Sequence, residues 1–388
     1  MFSETVIGYT IKLIKNFLDG EPLPVLPEEM DFDELYQFAR FHKVEVMVYT
    51  ALKKLDVENK VEKLKKFENL FYQNILISEK QKSCYELAEK AFIKEGIMFV
   101  PLKGSLIKDL YPHSVFRSLS DIDIYIGKKN ASKAREIMES LGFTTFEYGS
   151  KVLIHDTYEM EGVHFELHKE LMPHIPYFKG VEVCPQIEAD VLEEDGKFRL
   201  SNEGFYMFTV IHIAKHIKHN GIGLRGFIDI HLFLKKHKET LDWKKIDGYL
   251  EKSGLNRFHD CLLHLVDFWF EDKTDVAEEI REFGKHIAQN GAIGDAEIMD
   301  SAEKYKNTGV WNKAKYLKNL IFLPYEYMAD KYHILKKKPF LLPLCWCHRW
   351  FVAIISKREK FSGAMHKFDG IDSTKGEYSE KLKNNIGL

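Results

Sequence analysis

Apolar positions along the chain change their period twice, and each change marks a boundary. From Met1 to about residue 94 they recur every three or four positions, which predicts helices. Met1 to Gly20 is one such amphipathic stretch; two more follow Pro27, at Phe32 to Leu55 and Val61 to Ile93. Between about 95 and 200 strand and helix patterns alternate. Ile97 to Ser105 reads as a buried strand ending at Gly104, with a helix opening over Leu106 to Leu110. Asp121 to Ile126 alternates acid with isoleucine, a strand with two different faces. Ser132 to Gly142 predicts a helix with Ser132 as N-cap, an apolar stripe of Ala134, Ile137, Met138 and Leu141, and Gly142 as its stop. Phe143 to Tyr148, Val152 to Tyr158 and Val163 to Leu167 read as short strands, with Gly162 in a hairpin turn. Val181 to Leu200 reads as a further strand pair around Glu194, Asp195 and Gly196.

From Ser201 the helical period returns and persists to about residue 356. The predicted segments are Asn202–His219, Arg225–Lys238, Trp243–Ser253, Arg257–Phe270, Val276–Gln289, Asp295–Leu323 and Leu341–Ser356. The pattern divides the chain into an N-terminal helical region (1–94), a mixed domain (95–200), a C-terminal helical domain (201–356) and a polar, glycine-punctuated tail (357–388). That tail is expected to be loosely held.

Composition adds constraints. A chain of 388 residues, 45% apolar and 30% charged, has the make-up of an ordinary globular protein with two or three domains. The net charge of −3 and the scattered lysines and arginines argue against an extended nucleic-acid surface. Five irregularly spaced cysteines suit reduced thiols in the cytoplasm. Cys345 and Cys347, with one residue between them, do not have the spacing of a zinc knuckle. Met1 to Gly20 carries Lys12 and Lys15 and lacks the features of a signal peptide. Pro339 to Ile355 is the most apolar stretch, but His348 and Arg349 interrupt it and it is too short to span a bilayer, so a buried helix is expected and no membrane.

The candidate chemistry lies in the mixed domain. The junction at Gly104 and Ser105 joins a strand to a helix, a place where backbone N–H groups can meet phosphate oxygens. Asp121 and Asp123, two apart on a strand, share one face, with Ile122, Ile124 and Ile126 on the other. Two such acids repel unless a cation lies between them, and oxygen ligands suit Mg²⁺. A third acid, Glu166, alternates with Val163, Phe165 and Leu167 and shares its face with His164 and His168. This order of Leu102, Lys103, Gly104 and Ser105, then Arg117, then Asp121, Ile122 and Asp123, then Glu166, Leu167 and His168 resembles the polymerase beta-like nucleotidyltransferase superfamily. Within it, the closer likeness is to a bacterial family known only as uncharacterised nucleotidyltransferases.

That resemblance implies an α+β fold, a mixed-sheet catalytic core flanked by helices. It also implies transfer of a nucleoside monophosphate from an NTP to an acceptor. Asp121, Asp123 and Glu166 would be the catalytic acids and the ligands of Mg²⁺ or Mn²⁺, with Glu166 the general base. Gly104 and Ser105 would hold the β- and γ-phosphates, and Lys103 and Arg117 would neutralise charge on the leaving group. Lys103 could equally be an exposed strand-end charge. His168 could orient Glu166 or be a satisfied strand-end imidazole; His155 and His164 carry less information.

One motif lies outside the mixed domain. His212, His216 and His219 fall at i, i+4 and i+7 on one helical face, with Lys215 and Lys218 beside it. A metalloprotease would need a Glu after the first His, where Ile213 stands. The face is either a solvated polar stripe or a cover over the catalytic strands, in which case His212, Lys215 and His216 meet substrate. Arg225 and Asp229, four apart, suit an intrahelical ion pair or a joint substrate contact. The acceptor is not specified; a small molecule or a protein hydroxyl fits better than a long nucleic acid. The rival readings are a non-catalytic nucleotide-binding or toxin–antitoxin module on the same fold, and a small-molecule kinase. The kinase is disfavoured by the lack of a glycine-rich loop and a His-Arg-Asp segment.

Overall fold

A computed structural model describes residues 1–56, 59–147, 154–172, 178–219, 221–290, 334–356 and 381–388, with positions 322, 325, 328 and 332. The chain opens with α1 (Glu4–Asp19), α2 (Phe32–Phe41), α3 (Glu45–Leu52) and the long α4 (Lys60–Lys94). Ser3 caps α1 through its side chain, and Gly20 ends it in the left-handed region. The single apolar stretch expected over Phe32 to Leu55 is two helices, because Lys43, at φ 58°, turns the chain between them.

The mixed region contains β1 (Val100–Pro101), α5 (Gly104–Ile107), β2 (Ile122–Tyr125), α6 (Ala131–Ser140), β3 (Thr144–Glu147), β4 (His155–Met160) and β5 (Val163–His168). Its five strands form one mixed sheet in the order β1-β2-β5-β4-β3. Only β2 and β5 run parallel, and their register sets Asp123 beside Glu166. The fold is therefore α+β. The expected strand at Ile97 shrinks to two residues on the sheet edge, where Pro101 removes no ladder hydrogen bond. A two-residue turn at Glu161 and Gly162, both with positive φ (53° and 81°), joins β4 to β5. It pairs His155 with His168 directly across the hairpin.

Two further expectations are corrected here. Ser132 does not cap α6: the helix starts at Ala131 after a short 3₁₀ turn, and Asn130 bonds back to the Ile126 carbonyl. Residues 181–189 are not a strand: a 3₁₀ turn and α7 (Cys184–Ala189) precede a short hairpin of β6 (Val191–Glu194) and β7 (Lys197–Leu200). Pro185, in the first turn of α7, lacks the N–H that a paired strand would use.

The helical half follows closely on its period: α8 (Asn202–His219), α9 (Leu224–His237), α10 (Trp243–Ser253), α11 (Asn256–Phe270) and α12 (Glu278–Asn290), then α13 (Ile334–Lys337) and α14 (Leu342–Ser356). Apart from Phe322, the helix expected over 295–323 lies outside the described residues. Of α14, Cys345 is buried while Leu344 is exposed. No helix among the described residues is long and apolar enough to cross a membrane.

One core joins the two ends of the chain. Leu13 and Phe38 of the N-terminal helices belong to the same buried cluster as Phe227, Leu262 and Phe283. A second cluster lies under the sheet, where Ile122, Ile124 and Ile126 meet Val163, Phe165 and Leu167 and the α6 stripe. Residues 357–380 lie outside the described set, but the last eight are not a loose tail. Leu382 and Ile386 are buried in the main core, and Lys383 donates to the Lys218 carbonyl.

His42, fully buried, ties the two helical regions together. Its Nδ1 accepts from the Leu224 N–H at 3.2 Å, and its Nε2 faces the Ala288 carbonyl at 2.9 Å, which requires the neutral ring protonated on Nε2. Burial lowers its pKa to about 4, and burial does the same to His286. Unfolded imidazoles titrate near 6.5. The stabilisation from the neutral rings is therefore complete above about pH 6.5 and drains as pH falls toward 4, by about 1.4 kcal/mol per pH unit per ring. Denaturant midpoints measured from pH 7 to pH 4.5 should show this loss. His42→Gln, which does not titrate, should shallow the slope by one ring's share, up to about 1.4 kcal/mol per pH unit, with His286 and other buried histidines such as His212 supplying the rest; an unchanged slope would place the acid sensitivity elsewhere.

Candidate active site

The turn before α5 sets the site's geometry. Ser105 N–H donates to the Leu102 carbonyl, closing a tight turn in which Lys103 adopts φ 47° and ψ −126°, a conformation favourable for glycine. An L-residue held there stores about 1–3 kcal/mol of strain. The strained backbone accompanies a specific contact: Lys103 Nζ lies 2.6 Å from Asp123 Oδ1. Gly104 follows because nothing larger fits. A Cβ there would sit 2.4 Å from Leu119 Cδ2 and 3.0 Å from an Arg117 nitrogen.

The sheet delivers the acids. Asp121 just precedes β2, Asp123 lies within it and Glu166 is its register partner on β5. One carboxylate oxygen from each lies within 4.8 Å of the others. Burial and neighbouring charges shift all three carboxyls. Burial and the adjoining Asp123 raise the Asp121 pKa. Burial works in the same direction on Asp123, but the Lys103 ammonium and the His168 ring outweigh it and hold the carboxyl well below its usual range. For Glu166 burial is likewise outweighed, chiefly by the His168 hydrogen bond, and its pKa is lowered. His168 Nε2 lies 2.9 Å from Asp123 Oδ1 and 3.5 Å from Glu166 Oε2. Burial disfavours the imidazolium, yet these two acids raise its pKa.

Opposite the sheet, α8 and the start of α9 close a cavity of about 310 Å³. Lys103, Gly104, Asp121 and Asp123 line one wall, and His212, His216, Arg225 and Asp229 line the other. The histidine face therefore covers the acids rather than standing in solvent; the side chain of His219 lies outside the described set. Burial, then His216, drives the His212 pKa well below its usual value, and its Nδ1 is buried with no hydrogen-bond partner. Lys215 is not in the cavity wall but is half-buried near the acids, with its pKa lowered by burial and then by Lys103.

Several expectations change. Arg225 and Asp229 do not pair within α9. Asp229 instead accepts from Arg117 at 2.8–3.1 Å and from the Tyr111 hydroxyl at 2.6 Å. Arg225 donates to the Ser118 carbonyl and hydroxyl. Burial, then the adjacent Arg117, lowers Arg225 to about 10. Arg117, buried between the Gly104 turn and α9, bonds Asp229 and the Ser118 carbonyl and also lines the cavity. Ser105 also differs from expectation: its N–H is used by the turn, it does not line the cavity, and its hydroxyl is buried without a partner. His155 was passed over in the sequence, yet its Nδ1 lies 3.6 Å from Glu166 Oε2. The signal was available, since a two-residue turn at Glu161 and Gly162 fixes His155 opposite His168.

A mixed sheet with three converging acids, a lysine-bearing turn and a helical cover defines a nucleotidyltransferase. Residues 28–271 match the model of the family described as uncharacterised nucleotidyltransferase, and the chain belongs to that family. No curated protein and no solved structure matches the chain.

The strained turn yields a separable outcome. Lys103→Gly relaxes the backbone whereas Lys103→Ala keeps the strain, and both lose the Asp123 pair. Lys103→Gly should therefore be the more stable of the two by about 1–2 kcal/mol in denaturant melts. Both should lose at least about tenfold in turnover. Equal stabilities would show that the turn is unstrained.

Proposed function

We propose that the chain moves a nucleoside monophosphate from an NTP to the hydroxyl of a small molecule or of a protein, in the cavity between the sheet and α8–α9. The observation that carries this reading is the convergence of Asp121, Asp123 and Glu166 within 4.8 Å beside that cavity. The donor set fits a hard divalent ion: three carboxylates, all oxygen, mutually repelling, with a lysine ammonium already drawn to one of them. Mg²⁺ or Mn²⁺ held by Asp121, Asp123 and Glu166 would supply charge neutralisation on the triphosphate and acidity to the acceptor hydroxyl.

The chain's own groups supply the rest. Glu166, kept ionised by His168, can take the acceptor proton as the acceptor oxygen attacks the α-phosphorus and pyrophosphate departs. Lys103 and Arg225 offer positive charge to the triphosphate, and Gly104 lets it approach the backbone closely. Arg117 and Asp229 fix the distance between the turn and α9, so they act by positioning. His212 and His216 form the acceptor side of the cavity, with Lys215 nearby. A net charge of −3 offers no electrostatic footing for long nucleic acid.

Incubation with each α-labelled NTP and Mg²⁺, with and without cell extract, tests the reading. Label transfer or pyrophosphate release is expected, falling at least about a hundredfold in Asp121→Ala and Asp123→Ala. Nucleotide binding without release under all these conditions would favour an inert binding module on the same fold.

A further inference from the structure

A second set of ligand-type atoms shares Glu166 with the acids and lies outside the lining of the cavity. On one sheet face, across β5 and β4, Glu166, His168 and His155 each present one donor atom, all within 4.8 Å of one another. His155 and His168 are direct cross-strand partners, so the hairpin register builds the pair. The spacing within the group is informative. His155 Nδ1 and His168 Nε2 lie 3.6 and 3.5 Å from the same Glu166 oxygen. Both are longer than the roughly 3.2 Å of a strong N–H···O hydrogen bond, so the His168–Glu166 contact is a weak one. They match the roughly 3.4 Å separation of donors around a tetrahedral ion bonded at about 2.1 Å.

His168 is nine-tenths buried, and its Nε2, the nitrogen that faces Glu166, also meets Asp123 Oδ1 at 2.9 Å, so the group adjoins the acids. The site is reachable, because the His155 and Glu166 side chains are 22% and 24% exposed. Nearby charge is mixed: Asp123 and Asp121 add negative charge, while Lys103 and Lys215 oppose it.

We propose that His155, Glu166 and His168 form a separate cation site selective for a borderline transition ion such as Zn²⁺. Two imidazoles and one carboxylate favour late first-row divalent ions, whereas Mg²⁺ prefers all-oxygen shells. Binding through His168 Nε2 would replace that nitrogen's contact with Asp123 Oδ1. The proposal shares Glu166 with the nucleotidyl-transfer reading but does not need that reading to hold, since Asp121 belongs only to the acidic set.

Equilibrium dialysis of the full chain with Zn²⁺ in excess Mg²⁺, and the visible spectrum of a Co²⁺ titration, test the site without an activity assay. One tight equivalent and a Co²⁺–imidazole band are expected in the wild type and in Asp121→Asn. His155→Ala should weaken Zn²⁺ by at least about tenfold and abolish the band. His155→Cys, which restores a soft donor, should recover Zn²⁺ binding and guards against misfolding as the cause. Zn²⁺ binding that survives His155→Ala unchanged, or that Mg²⁺ displaces, would overturn the proposal. Loss of Zn²⁺ in Asp121→Asn would also overturn it, by assigning the ion to the acidic set.

Discussion

Three carboxylates held within 4.8 Å of one another on a sheet repel, and much of the surrounding fold serves to hold them there. The parallel register of β2 and β5 fixes Asp123 beside Glu166 with no freedom to separate, because a one-residue slip would turn the isoleucine face into the cavity. The apolar side of those strands is thus the structural guarantee for the polar side. Ile122, Ile124, Phe165 and Leu167, all nearly inaccessible to solvent, make slippage costly, so the repulsion is tolerated rather than relieved. Counter-charge comes from Lys103 and His168, which approach the same Asp123 oxygen from the turn and from β5.

The helical half acts on the site through a buried ion pair. Arg117 and Asp229, both under a tenth exposed, join the segment after the Gly104 turn to α9 in a forked geometry, and Tyr111 completes the carboxylate's bonding. Such a pair contributes little net stability over an apolar replacement, but losing one partner costs about 3–5 kcal/mol. Its value is positional. It fixes the cavity wall that carries His212, His216 and Arg225 at a set distance from the acids, and His42 repeats the device by tying α9 and α12 to the N-terminal helices.

Features governed by local periodicity were legible in the chain. The alternation in Asp121–Ile126 and Val163–His168 located β2 and β5, and the 3.6-residue period located α8 to α12 with ends correct within about two residues. Features governed by pairing across the fold were not. Nothing near Asp229 marks its partner 112 residues away, so an i, i+4 ion pair with Arg225 was the economical expectation. Ser105 beside a glycine looks like a phosphate ligand until the turn's hydrogen bond claims its N–H. The C-terminal eight residues are polar enough to suggest a loose end, yet Leu382 and Ile386 are sufficient to dock them. His155 lies between these cases, since its position follows from the sequence once the turn type is known.

The same reasoning explains why the polar face of this sheet is divided into two chemistries. A strand pair presents alternate residues at fixed spacing, so a donor added on β4 must join whichever side chain β5 already offers there. On the β2 side Glu166 meets carboxylates, which suits a hard ion and a triphosphate. On the β4 side it meets two imidazoles, which suit a softer ion. Glu166 is common to both, so the charge it can lend to one side is reduced by what it gives to the other. Lys103 is subject to a similar constraint: its ammonium cannot sit on Asp123 and on a phosphate at once. The β2–β5–β4 pairing fixes the register of the carboxylates, so the two proposed uses of Glu166 compete for one side chain.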